Sequence, residues 1–500
     1  MINQDNRIWG ILAAAIILMS ACKKDYLNLD PIDRYTYYNF PTNESQVDQA
    51  VTANYRKLVP VYNNHMWVFG DMLSDNTSFR YNPSDRGGIA IEEMDEFVAI
   101  ADNGTFNGLY QESFESIRRA NTVLDVIDGI FYASDSTKRM RKAEARFFRA
   151  WNYFNLVQLY GDVPILLKVE IDPVVGGNPG ATYPRRPVAE VYSQVILPDV
   201  QFAIDSLPLA VPAAQRGRLT KSAARMLLAK VYMVQRRFAD AASLLQTIAS
   251  SGFSLNAQYV RNFDPAFKNG PESIFEVQAD PVLGYSFGFM SSWTPWGTGT
   301  RIWPGGANSR GGLNQPTQTL DQAYEPNDVR KVVTIGVDGT GAAAIRFMRK
   351  FLYWDAVQRA NACNWPVYRY ADAMLMLAEC LNEGSFPNAQ AFTLLNQVRN
   401  RAGLPAKTQG NADPALAINS QADFRLAIER ERQVELAGEG HRWFDLVRTG
   451  RAAQVMAAHG VVERSIKTTL NPNAYNTIKL LLPIPLREVQ QFGYPQNQGW

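Results

Sequence analysis

Lys142-Ala143-Glu144-Ala145-Arg146-Phe147-Phe148-Arg149-Ala150-Trp151-Asn152-Tyr153-Phe154-Asn155-Leu156-Val157-Gln158-Leu159-Tyr160 is the stretch that decides the fold. Ala143, Phe147, Ala150, Trp151, Phe154 and Val157 recur at i, i+4, i+7, i+8, i+11 and i+14, one apolar face of helical period over four turns. A face that long has to pack against something. Gly161-Asp162-Val163-Pro164 follows with the Gly and Pro punctuation that ends a helix.

The same period governs residues 45–60, 111–160, 187–250, 366–402 and 421–460. Within Ala224 to Gly252, Ala229, Tyr232, Ala241 and Leu245 fall at the small, aromatic, small and large contact positions of a tetratricopeptide-like hairpin. A degenerate copy runs from Arg369-Tyr370-Ala371-Asp372 through Ala378, Leu381, Ala391 and Leu394-Leu395, and Ala145 to Tyr160 makes a third half-copy. The expected class is therefore mostly α: a tetratricopeptide-like helical scaffold with long loop-rich insertions and short strands.

Between 253 and 365 the composition turns to Gly, Pro, Ser and aromatics, with extended candidates at Ser273 to Gln278, Lys331 to Val337 and Ile345 to Trp354. Long loops inside a compact domain usually carry function. Trp293, Trp296 and Trp303 stand there among Pro295, Gly297, Gly299, Pro304, Gly305 and Gly306, where a ring need not serve a helix face. All three are expected to be exposed ligand-binding rings, since flat rings suit the C–H faces of sugars. A second candidate loop is Asp71 to Asn82, in which Arg80 and Tyr81 are the candidate ligand contacts; Trp67, just before it, reads as core.

Composition removes several function classes. Lys plus Arg number 50 against 48 Asp plus Glu, and a net charge of +2 leaves no nucleic-acid footprint. Besides Cys22 only Cys363 and Cys380 occur, too few for a disulfide framework, and Cys380 reads as a small core residue on a helix face. Three histidines without an H-x-x-x-H pair or a cysteine cluster give no zinc site, so no metal or cofactor is expected. No G-x-S-x-G, P-loop or H-E-x-x-H motif is present, and the chain reads as a binding protein rather than an enzyme. A glycosidase carboxylate pair leaves no signature of spacing, because its geometry exists only in the fold. The charged run Glu429-Arg430-Glu431-Arg432, with Glu435, Glu439, Arg442 and Asp445, has helical spacing and reads as ion pairs lacing packed helices. Gly339-Thr340-Gly341-Ala342-Ala343-Ala344 imitates a dinucleotide fingerprint, but a hairpin turn fits its surroundings better.

At the N-terminus, Ile8 to Met19 is apolar but too short to span a bilayer as a helix, and fits a signal-peptide core. Met19-Ser20-Ala21-Cys22 resembles a bacterial lipobox, so residues 1–21 read as a lipoprotein signal peptide and Cys22 as the lipid attachment. Each buried acyl methylene contributes about 0.8 kcal/mol, which makes a multiply acylated cysteine a stable anchor.

Several strings also carry a family likeness. Lys142 to Ala150 with Tyr160-Gly161-Asp162-Val163-Pro164; Arg369-Tyr370-Ala371-Asp372; Leu395-Asn396-Gln397-Val398-Arg399-Asn400-Arg401-Ala402-Gly403-Leu404-Pro405; Glu435-Leu436-Ala437-Gly438-Glu439-Gly440-His441-Arg442-Trp443-Phe444-Asp445-Leu446; and Leu482-Pro483-Ile484-Pro485 stand in an order that resembles the SusD/RagB family of Bacteroidetes outer-membrane lipoproteins. The resemblance implies a surface-exposed, lipid-anchored nutrient receptor that binds a glycan or oligosaccharide and caps a SusC-like TonB-dependent outer-membrane transporter. It leaves a RagB-like peptide receptor as an alternative, with a surface glycoside hydrolase behind both. The expected organisation is a signal peptide over 1–21 and a single SusD-like domain over 22–500. Its helical scaffold would occupy about 45–250 and 366–460, with a ligand-binding insertion at about 253–365.

Overall fold

The computed structural model describes residues 40–169, 183–306, 310–341 and 344–500. The signal peptide and Cys22 lie outside the described residues. Among the described residues, eleven helices carry the scaffold. α1 (Glu44–Val61) is capped by the Asn43 side chain, which accepts from the Gln46 N–H, and α2 (Gly104–Val126) is capped in the same way by Asn103. α3 (Asp135–Tyr160) starts at Ser134, whose side chain accepts from the Thr137 N–H, and stops at Gly161 with φ 70°. α4 (Leu197–Ser206), α5 (Lys221–Val234) and α6 (Phe238–Ala249) follow, then α7 (Tyr370–Gly384), α8 (Ala389–Arg401), α9 (Gln421–Glu435), α10 (Arg442–Arg448) and α11 (Ala452–Ile466).

Successive helices pack as neighbours from α1 to α8, and α7 also takes α9. The stripe of α3 is buried throughout. In the α5–α6 hairpin Ala229, Ala241 and Leu245 are buried where the repeat pattern places its contact residues, and Tyr232 lies half-buried under the Arg237 guanidinium, 4.1 Å from its centroid. One hydrophobic cluster extends from Leu58 to Tyr494 and includes Trp67, Cys363 and Cys380; both cysteines are free thiols. Burial raises both thiols far above their usual range.

Ser273–Val277 pairs antiparallel with Trp365–Arg369, so the intervening segment leaves and rejoins the scaffold through one two-stranded neck. Ile335–Asp338 and Ile345–Met348 form a hairpin across the glycine-rich turn, whose residues 342–343 are not described. Two extended candidates need correction. Lys331–Thr334 is a helical turn, because the Asp328 carboxylate takes the backbone N–H and the guanidinium of Arg330 and folds the chain inward. The Ile345 to Trp354 stretch pairs only to Met348, and Trp354–Asp355 belongs to a separate bridge with Ala360–Asn361. Among the described residues no helix is long and apolar enough to cross a membrane.

Candidate functional site

The charged side chains in the last turns of α9 point inward, whereas Asp423, Arg425 and Arg430 are exposed. Glu431, Arg432 and Glu435 are buried, as are Glu439 and Arg442 just beyond the helix. Arg330 donates to Asp328, Glu431 and Glu435, and Arg369 donates to Glu272, Glu435 and Glu439, at 2.6–3.0 Å. Burial alone would raise the Glu435 carboxyl, but Arg401, Arg369 and Arg330 outweigh it and hold it well below the usual carboxylate range. The pairing expected from helical spacing is present, and it is a buried network that fastens distant loops to α9.

The loop Asp71 to Asn82 is one of them. Asp71 accepts from the N–H groups of Gly438 (3.2 Å) and Gly440 (2.8 Å), and Asp75 accepts from Arg442 at 2.8 and 3.1 Å and from Gln433 at 3.0 Å. Desolvation pushes the Asp71 carboxyl up to about 7, whereas Asp75 stays below its ordinary value because Arg442 overcomes the same penalty. Further along, Thr77–Ser78 pairs with Gln315–Pro316, and the Thr77 hydroxyl donates to the Asn314 side chain at 2.6 Å. The two loops singled out from sequence are thereby joined edge to edge.

At this junction the Arg80 N–H donates to the Gly312 carbonyl (2.7 Å) and its Nη1 to the Trp296 carbonyl (2.8 Å). The Arg80 guanidinium lies 4.3 Å from the Trp296 ring centroid. Gly312 has φ 104°, and a Cβ there would lie 2.9 Å from the Arg80 Cβ, so this approach requires glycine. Tyr81 stands beside Arg80 with the Arg86 guanidinium 4.3 Å above its ring, and Arg86 is held by Glu92 at 2.5 and 3.1 Å. Arg80, Tyr81 and Trp296 are all half-buried. Trp296 under Arg80, with Tyr81 next in the chain under Arg86, is the platform of the junction, each ring carrying a guanidinium on one face.

The other two tryptophans depart from the expectation of exposed rings. Trp293 is 0% exposed: it stacks on Phe289 at 4.2 Å and meets Trp67, Phe351 and Trp365 edge-on at 5.7–6.1 Å. Phe289–Trp293 forms one helical turn that buries both rings on the same side. Trp303 is 4% exposed and packs edge-on against Trp354 at 4.9 Å. Gly and Pro around a tryptophan describe the backbone, not the direction of the ring. Arg86 and Trp354 were not singled out from sequence, and only the Arg86-to-Glu92 charge pairing offered a signal for either. Among the described residues no group of three His, Cys, Asp or Glu is disposed to hold a metal ion.

Comparison with known proteins agrees with this architecture. Residues 285–500 match a family model described as the SusD family, and residues 25–233 match one described as starch-binding associating with outer membrane. SusD-like protein P25 of Formosa agariphila is 28% identical over 97% of this chain and 97% of its own. SusD-like protein P38 of the same organism is 24% identical over 89% of this chain and 92% of its own. A SusD superfamily protein of Parabacteroides distasonis superposes with a TM-score of 0.75 at 24% identity, covering 93% of this chain and 100% of that one. A laminarin-binding SusD-like protein superposes with a TM-score of 0.71 at 26% identity, covering 92% and 100%. Two models that lie one after the other on a single chain, with relatives matched over almost their whole length, lead to one assignment: the chain belongs to the SusD/RagB family.

Proposed function

We propose that this protein is a glycan-binding lipoprotein of the outer membrane, which captures an oligosaccharide at the cell surface and passes it to a SusC-like TonB-dependent transporter. The observation that carries the reading is the platform of Arg80, Tyr81 and Trp296 at the junction of the two loops. A half-buried indole backed by a cation offers a flat face for sugar C–H groups, and polar groups around it serve hydroxyls. The laminarin-binding relative supports a carbohydrate ligand over a peptide. Cys22 is the proposed anchor.

The test is titration against a panel of polysaccharides, laminarin included, and a parallel panel of peptides. A neutral polysaccharide should bind, no sugar should be released, and Arg80→Ala should weaken binding several-fold at unchanged melting temperature. Binding to peptides alone, or release of reducing ends, overturns the reading. Cys22→Ser should leave the membrane fraction in cells; continued acyl labelling and membrane association would refute the anchor. Mild affinity purification from the native membrane should recover the transporter, and recovery of free monomer alone in several gentle detergents would count against that partner.

A further inference from the structure

A second cavity lies within the helical scaffold between α3, α5 and α10, and none of the platform residues lines it. Its inner chamber has a volume of about 70 Å³ and is walled by the rings of Trp151, Phe154 and Phe444. An outer chamber of about 360 Å³, bounded by Phe238 and Leu426, shares Met233, Arg432, Asp445 and Arg448 with the inner one. Space of this size, mostly apolar with a few polar groups converging on it, is the usual form of a small-molecule site.

The polar groups of the inner chamber are unusual in being left open. Asn155 is only 6% exposed and its side-chain amide makes no hydrogen bond among the described residues; its Nδ2 is sealed from solvent, and its Oδ1 is the atom left accessible. A buried amide in that condition costs free energy unless something else satisfies it. The His441 imidazole likewise has no hydrogen-bond partner among the described residues. Burial, with Lys230 nearby, lowers its pKa to about 4, so at neutral pH it can both donate and accept. Arg432, 3% exposed, gives Nε to Asp445 at 2.8 Å and Nη1 to Asp372 at 2.7 Å and keeps Nη2 unpaired.

The charges, by contrast, are closed. Asp372 also takes Lys230 at 2.8 Å, and Arg448 is held by Glu379 and Asp445. Lys230, Arg432 and Arg448 thus face Asp372, Asp445 and Glu379, and a charged ligand would find no opposite charge to spare. What remains open is an amide oxygen that accepts, an imidazole that both donates and accepts, one guanidinium N–H group, and aromatic walls. Hydroxyl groups on a ring with C–H faces satisfy all of these together. We propose that this cavity is a second carbohydrate site, separate from the loop platform, whose two chambers together bind a single neutral sugar ring. The proposal rests on the glycan reading only for the choice of probe.

The experiment uses Trp296→Ala, in which the platform is disabled, titrated with D-glucose, D-galactose and D-mannose by saturation-transfer NMR. At least one hexose should give saturable transfer. Adding Asn155→Leu or His441→Gln should weaken it by about 3–10-fold, the loss expected for a neutral hydrogen bond, with the melting temperature within a few degrees. The two second-site variants are independent, so a folding failure of one leaves the other to decide. The proposal falls if no hexose gives saturable transfer, or if the double variants bind as well as Trp296→Ala alone. Failure of the platform reading would show separately, as polysaccharide binding that Trp296→Ala leaves intact.

Discussion

Trp293→Ala and Trp296→Ala, three residues apart, should fail in opposite ways. Trp293 is fully buried among four aromatic rings, and emptying a site of that kind costs about 3–5 kcal/mol. Total stability is commonly 5–15 kcal/mol, so Trp293→Ala should lose much of it and unfold at markedly lower temperature. Trp296 is half-buried and loses chiefly its contact with Arg80, about 0.5–1 kcal/mol at a solvent-facing site. Its larger effect should be on ligand: removing a stacked ring forfeits about 0.5–1.5 kcal/mol beyond its area, which is about 2–12-fold in Kd before the area is counted. Thermal unfolding and affinity electrophoresis in polysaccharide gels separate the two effects. The reasoning is refuted if Trp296→Ala binds as tightly as wild type, or if Trp293→Ala melts normally and loses ligand. Trp303→Ala, buried against Trp354, should resemble Trp293→Ala in kind.

Arg369→Met leaves Glu272, Glu435 and Glu439 short of a buried partner and should cost about 3–5 kcal/mol, read as a shift of the denaturant midpoint; a loss below about 1 kcal/mol would mean the network relaxes around the gap. Asp95 is buried beneath Ser78, 2.5 Å away, and burial lifts its carboxyl from the ordinary 3.8 to about 8. The folded state therefore holds a proton that the unfolded chain releases, and stability should fall by on the order of 1 kcal/mol per unit as pH rises from about 4 to about 8, then level off. Asp95→Asn should flatten that slope in a pH series of melting temperatures, and an unchanged slope would remove Asp95 as its source. Gly70→Ala would place a Cβ 2.2 Å from the Gly440 carbonyl oxygen, a backbone atom with no room to yield. It should destabilise by about 1–3 kcal/mol and weaken ligand binding at the platform, as measured by calorimetry.

The scaffold was legible because its signals are local. The stripe of α3, the alternation of small and large residues in α5 and α6, and the Gly161 stop each depend on neighbours within a few turns, and each stands where the sequence puts it. The direction of a loop ring is decided elsewhere. Trp293 turns inward because Phe289, Phe351, Trp365 and Trp67 surround it, and these residues come from four separate parts of the chain. Trp296 is half-buried, with Arg80, 216 positions away, over one face of its ring. No periodicity carries either fact. Lys331–Thr334 went the same way: its β-branched residues suit a strand, and Asp328 with a buried Arg330 overrode them.

The buried charges explain why a long-looped insertion can present a fixed platform at all. The segment Asp71 to Asn82 buries Met72, Leu73 and Phe79 in the core, but apolar packing is not directional, so its register needs anchors that are. Asp71 and Asp75 supply them: Asp71 takes the N–H groups of Gly438 and Gly440 in the segment that joins α9 to α10, and Asp75 takes Arg442 at the start of α10. That segment is itself tied through Glu439 to Arg369 and Lys350. Ion pairs of this sort contribute little net stability over apolar packing, but they are severe about geometry, since a misplaced loop would leave several carboxylates buried and unpaired. Gly440 and His441 also wall the inner chamber of the scaffold cavity. The joint that sets the position of the platform loop is therefore one wall of the second cavity.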